Sequence, residues 1–153
     1  MRIVRFYRVN DEFGEFSNFA PYPIVIDGER WATSEHYFQA QKFLDDAYRR
    51  RIQVAKSPMI AARLGRSRSQ PLRRDWESVK LDVMLTAVRA KFTQHEDLRA
   101  LLVSTGAATI VEHTKNDSYW GDGGDGSGSN MLGHILMRVR EELRETERKR
   151  DEP

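Results

Sequence analysis

Apolar and charged residues alternate along "IVRFYRV" at 3–9, the period-two pattern of a half-buried strand. "PYPIVID" at 21–27 predicts a second short strand, its prolines suiting a sheet edge, and Asp27-Gly28 marks a turn. Thr33 and Ser34 stand as N-caps before "EHYFQAQKFLDDAYRRRIQVAK", which reads as helix with a break near Asp45. "SPMIAARLG" at 57–65 predicts a short helix, capped by Ser57, opened by Pro58 and stopped by Gly65. Trp76, Val79, Val83, Ala87 and Ala90, joined by Lys80, Met84, Val88 and Phe92, recur at helical spacing through a long amphipathic helix. A shorter helix covers about 95–104, Gly106 ends it, and "ATIVEH" is strand-like. The last helix sets Met131, Leu132, Ile135, Leu136, Val139 and Leu143 on one face, before a solvated, fraying "ELRETERKRDEP". The pattern predicts an α+β fold: one predominantly helical domain over 1–146, a small, mainly antiparallel sheet, and a solvated tail over 147–153.

Composition narrows the function classes. A net charge of +2, despite 31% charged residues, gives no global field of the kind that announces a nucleic-acid binder. With no cysteine, disulfides and thiolate metal sites are excluded. No apolar run approaches the ~18 residues of a membrane span, and the N-terminus lacks the apolar core of a signal peptide. A cytoplasmic protein without membrane contact is expected. Its oligomeric state is not legible.

Half of the ten glycines fall in one place. From Gly121 to Gly128, five of eight residues are glycine and two are aspartate, and an apolar helix pattern follows. Gly121, Gly123 and Gly126 satisfy G-x-G-x-x-G, but "HTKNDSYW" precedes them instead of a strand, and no βαβ unit surrounds them. A Walker loop needs Lys where Ser127 stands, and the aspartates miss the EF-hand spacing. Two readings stay open: an anion seat at a helix N-terminus, or a mobile surface loop. Flanking Asp117, Tyr119 and Trp120 favour a ligand wall.

The second unusual stretch is "WATSEHYFQAQKF". Its aromatic load implies a helix buried on more than one side. Glu35, Gln39 and Lys42 nevertheless share a stripe, with Glu35 and Lys42 about 10 Å apart along the axis. That spacing suits either two groups addressing one small ligand or an ordinary solvated face. His36, His95, His113 and His134 show no metal-ligand spacing and read as structural. Arg63, Arg66, Arg68, Arg73 and Arg74 lie within twelve residues, either as phosphate-binding forks or as solvated surface.

Taken in series, "EFSNFAPYPI", "WATSEHYFQAQKF", "SPMIAARLGRSRSQPLRRDWESVK", "AKFTQHEDLRALL" and "VEHTKNDSYWGDGG…GSNMLG" resemble the NADAR family over roughly residues 6–143. The likeness is strongest to its bacterial N-glycosidases of riboflavin-biosynthesis intermediates. This resemblance implies cleavage of a ribose C1–N bond in phosphoribosylamino-pyrimidines, giving ribose 5-phosphate and free base. Other branches remove ADP-ribose from guanine in nucleic acid, so the expected partner is a phosphoribosyl or ADP-ribosyl small molecule, or ADP-ribosylated nucleic acid. A non-catalytic ADP-ribose-binding module is a further alternative. No cofactor or metal is expected. The family's functional Glu falls on Glu35, its Trp on Trp76 and its acidic residue on Asp117. Lys42 matches a lysine proposed in some branches to form a Schiff base with the opened sugar. Asn18, Arg66, Arg73, Tyr119, Trp120 and Gly121 complete the expected substrate contacts.

Overall fold

The computed structural model describes residues 2–152, so Met1 and Pro153, the outer ends of the expected domain and tail, lie outside the described residues. The residues pack as two compact units, one formed by Pro21–Lys91 and the other by the segments up to Ala20 and from Phe92 onward.

In the Pro21–Lys91 unit, β2 (Ile24–Ile26) and β3 (Glu29–Trp31) pair antiparallel, with Ile26 opposite Glu29. The two intervening residues, Asp27 and Gly28, both have positive φ (52° and 79°), as a type I′ hairpin turn requires. β3 is a strand that the pattern does not announce: "ERW" carries a single apolar residue, and the turn dictates its pairing. α1 (Ser34–Ala40) starts at Thr33, whose Oγ1 accepts the His36 N–H at 3.2 Å. The expected break is present, since α2 (Asp46–Gln53) begins afresh at Asp45, whose carboxylate accepts the Tyr48 N–H. α3 (Pro58–Arg66) has the Ser57 cap and Pro58 at its start, but Gly65 lies inside the helix, not at its stop. Trp31, Tyr37, Ala40, Phe43, Tyr48, Ile52, Ala61 and Ala87 of the long α4 (Trp76–Gln94) form the buried core. Burying such side chains is worth roughly 1.5–3 kcal/mol each for the larger ones, enough to hold a seven-residue α1 that would not be helical alone.

In the other unit, β1 (Ile3–Phe6) and β4 (Thr109–Glu112) pair parallel. The sheet is therefore not mainly antiparallel: the described residues form two two-stranded sheets, one of each kind. Parallel neighbours need a long crossover, and here most of the chain supplies it. α6 (Met131–Asp151) packs on β4 and on α5 (Glu96–Ser104), and Leu98, Leu102, Ile110, Leu132, Leu136 and Val139 are buried. Asn130, in the left-handed region at φ 50°, ties α6 to β4: its amide donates to Ile110 O and accepts from Glu112 N. Arg140 of α6 is buried and donates to Thr105 Oγ1 and Ala108 O, satisfying groups beyond the end of α5. α6 runs to Asp151, so the stretch expected to fray is helical, while most of it stays exposed. No helix among the described residues is long and apolar enough to cross a membrane.

Candidate functional site

All seven residues of α1 are buried, including Glu35 at 8% exposure and Gln39 at 4%. A carboxylate in such a place must be held by donors. Gln39 Nε2 donates to Glu35 Oε2 at 2.7 Å, one helical turn away. The adjacent His36 points elsewhere and is a peg. Its Nε2 donates to Ala55 O at 3.0 Å, and its Nδ1 lies 2.7 Å from Thr33 Oγ1, whose hydroxyl can donate to it in the neutral ring. Burial lowers the His36 pKa, partly opposed by the bond to Ala55, in keeping with that neutral form. The structural reading of this histidine holds.

α1 ends before Lys42, which sits in the following turn, its N–H bonded to Gln39 O. The Lys42 carbonyl accepts the Arg73 N–H at 2.9 Å, and its Nζ lies 5.6 Å from the Phe38 ring centroid. The Lys42 pKa falls to about 8: burial is the largest cause, the Glu35 charge opposes it, and Arg68 and Arg66 reinforce it. An amine of this kind is a nucleophile near neutral pH. The structure thus brings Glu35, Lys42 and Arg66 into one electrostatic neighbourhood. It adds Arg68, which the sequence offered only as one member of an arginine run. Arg68 Nη1 donates to Gly65 O and Ser67 O, at 3.2 Å each, which fixes that side chain at the end of α3.

Two expected residues are placed differently. The Arg73 guanidinium is taken up by Asp75 as a bidentate pair, at 2.6 and 3.0 Å, and by Gln41 O at 3.4 Å. It already has the carboxylate that a phosphate would replace. Trp76, where the family's functional Trp falls, is buried and packs edge-on against Phe38 at 5.2 Å. It thereby buttresses the ring beneath the Lys42 amine. An open groove of about 720 Å³ lies nearby, lined by Leu44, Asp45 and residues 70–75. Neither Glu35 nor Lys42 lines it, so cavity size alone points away from the chemistry.

The glycine loop, in the other unit, has its own geometry. Asp122, buried, accepts from His113 Nδ1 (2.7 Å), Gly124 N (2.8 Å) and Thr114 N (3.0 Å). Burial raises its pKa, but these donors outweigh that and hold the carboxyl below its ordinary range. Asp117 Oδ1 accepts from Tyr119 N and Trp120 N at 2.9 and 2.8 Å. Tyr119 O and Trp120 O in turn accept from Met131 N and Leu132 N, the first amides of α6. The donors expected to seat an anion are thus spent on the loop's own carboxylates and carbonyls. Gly121 is glycine because a Cβ would come within 2.8 Å of both Asp117 O and Thr114 Cγ2. Gly124, at φ 88°, turns its amide onto Asp122. Tyr119 and Trp120 remain half-buried, edge to face at 4.8 Å. Asn18, two residues beyond the 3-10 turn Gly14–Phe16, is buried at 8% exposure.

Known proteins share this chain's sequence and fold. The NADAR domain model matches residues 5–144. The N-glycosidase YbiA of Escherichia coli (strain K12) is 62% identical over 92% of this chain and 88% of its own. The N-glycosidase Npun_R5314 of Nostoc punctiforme is 47% identical over 92% of both. A riboflavin biosynthesis protein of Vibrio vulnificus is 44% identical over 93% of this chain but only 39% of its own length. Among solved structures, the NMR structure of the E. coli protein YbiA superposes with a TM-score of 0.90 at 58% identity, covering 99% of this chain and 89% of that one. With a family model spanning most of its length and relatives this similar, the chain belongs to the NADAR family.

Proposed function

We propose that this protein is an N-glycosidase that hydrolyses the ribose C1–N bond of phosphoribosylamino-pyrimidine intermediates of riboflavin biosynthesis, releasing ribose 5-phosphate and free base. The names of its relatives support the activity and the pathway. The observation that carries the chemistry is Lys42, an amine with a pKa of about 8 within the field of the buried Glu35.

An aminoribosyl group opens to an imine at C1. The neutral Lys42 amine adds to that carbon, forming a new C1–N bond. The Glu35 carboxylate takes the proton that the Lys42 nitrogen releases and passes it to the pyrimidine nitrogen, which departs with the electron pair of the old bond. The resulting Lys42–sugar imine takes up water, with Glu35 as base, and the sugar leaves as ribose 5-phosphate. Arg66 and Arg68 serve twice: they favour the neutral amine, and as exposed guanidiniums they suit the substrate's phosphate. On the strength of the family resemblance, Asp117 enters as the catalytic partner of Glu35, and Asn18, Tyr119, Trp120 and Gly121 as substrate contacts.

The test is release of free base when the purified protein meets, separately, a phosphoribosylamino-pyrimidine and ADP-ribosyl-guanine in DNA. Release from the first supports the proposal. Release of guanine alone transfers the activity to nucleic-acid repair, and affinity without product leaves a binding module. Borohydride added during turnover should attach the sugar to Lys42, and turnover that resists trapping would argue for direct hydrolysis.

A further inference from the structure

Gly65 was expected to stop a helix and instead lies inside one, facing α1. A Cβ there would overlap Gln39 Oε1 and approach the Gln39 Cδ at 2.6 Å and Cβ at 2.9 Å. The contact is therefore closed to any side chain unless Gln39 moves. Gln39 is 4% exposed, and its Oε1 has no hydrogen-bond partner. A carboxylate only accepts, so the amide must turn its NH2 to Glu35 and leave its oxygen against Gly65. A buried acceptor without a partner costs stability, and leucine would fill the place without that cost. A polar side chain kept under that penalty needs a reason besides packing.

We infer that Gln39 is a positioning residue that aims the Glu35 carboxylate, and that the missing Cβ of Gly65 is what keeps Gln39 in that pose. Glu35 lies on a short helix whose backbone is held by the Thr33 cap and the His36 peg. The Gln39 amide fixes one of its two oxygens. The inference rests on the proposed role of Glu35 as proton carrier.

The experiment compares kcat, KM and Tm for Gln39→Leu, Gly65→Ala, the Gln39→Ala/Gly65→Ala pair with its single variants, and Glu35→Gln. Gln39→Leu should lower kcat by about 10²-fold, the scale of a 1 Å misplacement. Its KM should stay within a few-fold, and its Tm should shift little, because loss of the unpartnered Oε1 offsets loss of the donor to Glu35. Gly65→Ala should lower kcat similarly, and adding it to Gln39→Ala should cost several-fold less, because only the 2.9 Å approach to the residue 39 Cβ remains. Strictly additive losses would overturn the Gly65 arm. A Gln39→Leu enzyme with wild-type kcat, alongside an inactive Glu35→Gln, would overturn the inference while leaving the glycosidase proposal standing. An active Glu35→Gln enzyme would remove the proposal and the inference together. Should Gly65→Ala fail to fold, the near-isosteric Gln39→Leu still decides the matter.

Discussion

The glycine loop and the α1 segment both stand out in the sequence, and the structure treats them in opposite ways. In the loop, Asp117 and Asp122 each collect two or three donors from nearby backbone and side chain. In α1 and its following turn, charge is left under tension: a buried carboxylate held by Gln39, an acceptor without a partner, and an amine pushed to about 8. The loop's carboxylates are bonded to the loop itself, whereas the perturbed Lys42 amine and the buried Glu35 mark where chemistry is to be sought.

That contrast can be broken most sharply at Glu35. Glu35→Gln should lower kcat by about 10²–10⁴-fold, the range of general acid–base assistance, while circular dichroism stays native. Asp122→Ala should do the reverse. Losing a carboxylate with three donors should cost about 3 kcal/mol of stability, read as a lower Tm, with kcat per folded molecule largely kept. If Asp122→Ala kills turnover without loss of Tm, the loop belongs to the chemistry after all.

The pH profile sharpens the comparison further. Only the neutral Lys42 amine attacks, so kcat/KM should rise with pH and level off above about 8. Arg68 lowers this pKa, so Arg68→Gln should move the limb to higher pH. Glu35 raises it, so in Glu35→Gln the residual activity should have its limb at lower pH. Imine trapping at several pH values reads both. The smallest effect belongs to Arg73. Tied to Asp75 near the surface, its replacement by Gln should cost less than about 1 kcal/mol and leave KM nearly unchanged. A tenfold rise in KM would restore Arg73 as a phosphate ligand.

Periodicity shows the helices well because their apolar faces are long and their caps local: Asp45, Ser57 and Thr33 all cap by side-chain bonds. It does not show β3, whose pairing comes from the Asp27-Gly28 turn, nor the parallel β1–β4 pairing, which depends on contacts a hundred residues apart in the chain. At the site, Glu35 and Lys42 share a legible stripe. Gly65 misleads because a glycine needed for close approach and one needed to end a helix look identical in a sequence. The arginines divide for a similar reason. Asp75, two residues along, claims Arg73, and only geometry says that it does so while Arg68 turns back to the end of α3.

One consequence of α6 is practical. Its final turns are exposed and laced by Arg148 with Glu141 and Glu145, so they form a stiff rod standing on the Leu132–Leu143 anchor. A fluorophore at Glu147 would ride that rod at about 1.5 Å per residue from the anchor, reporting helix melting in high salt as a separate event from denaturation of the core.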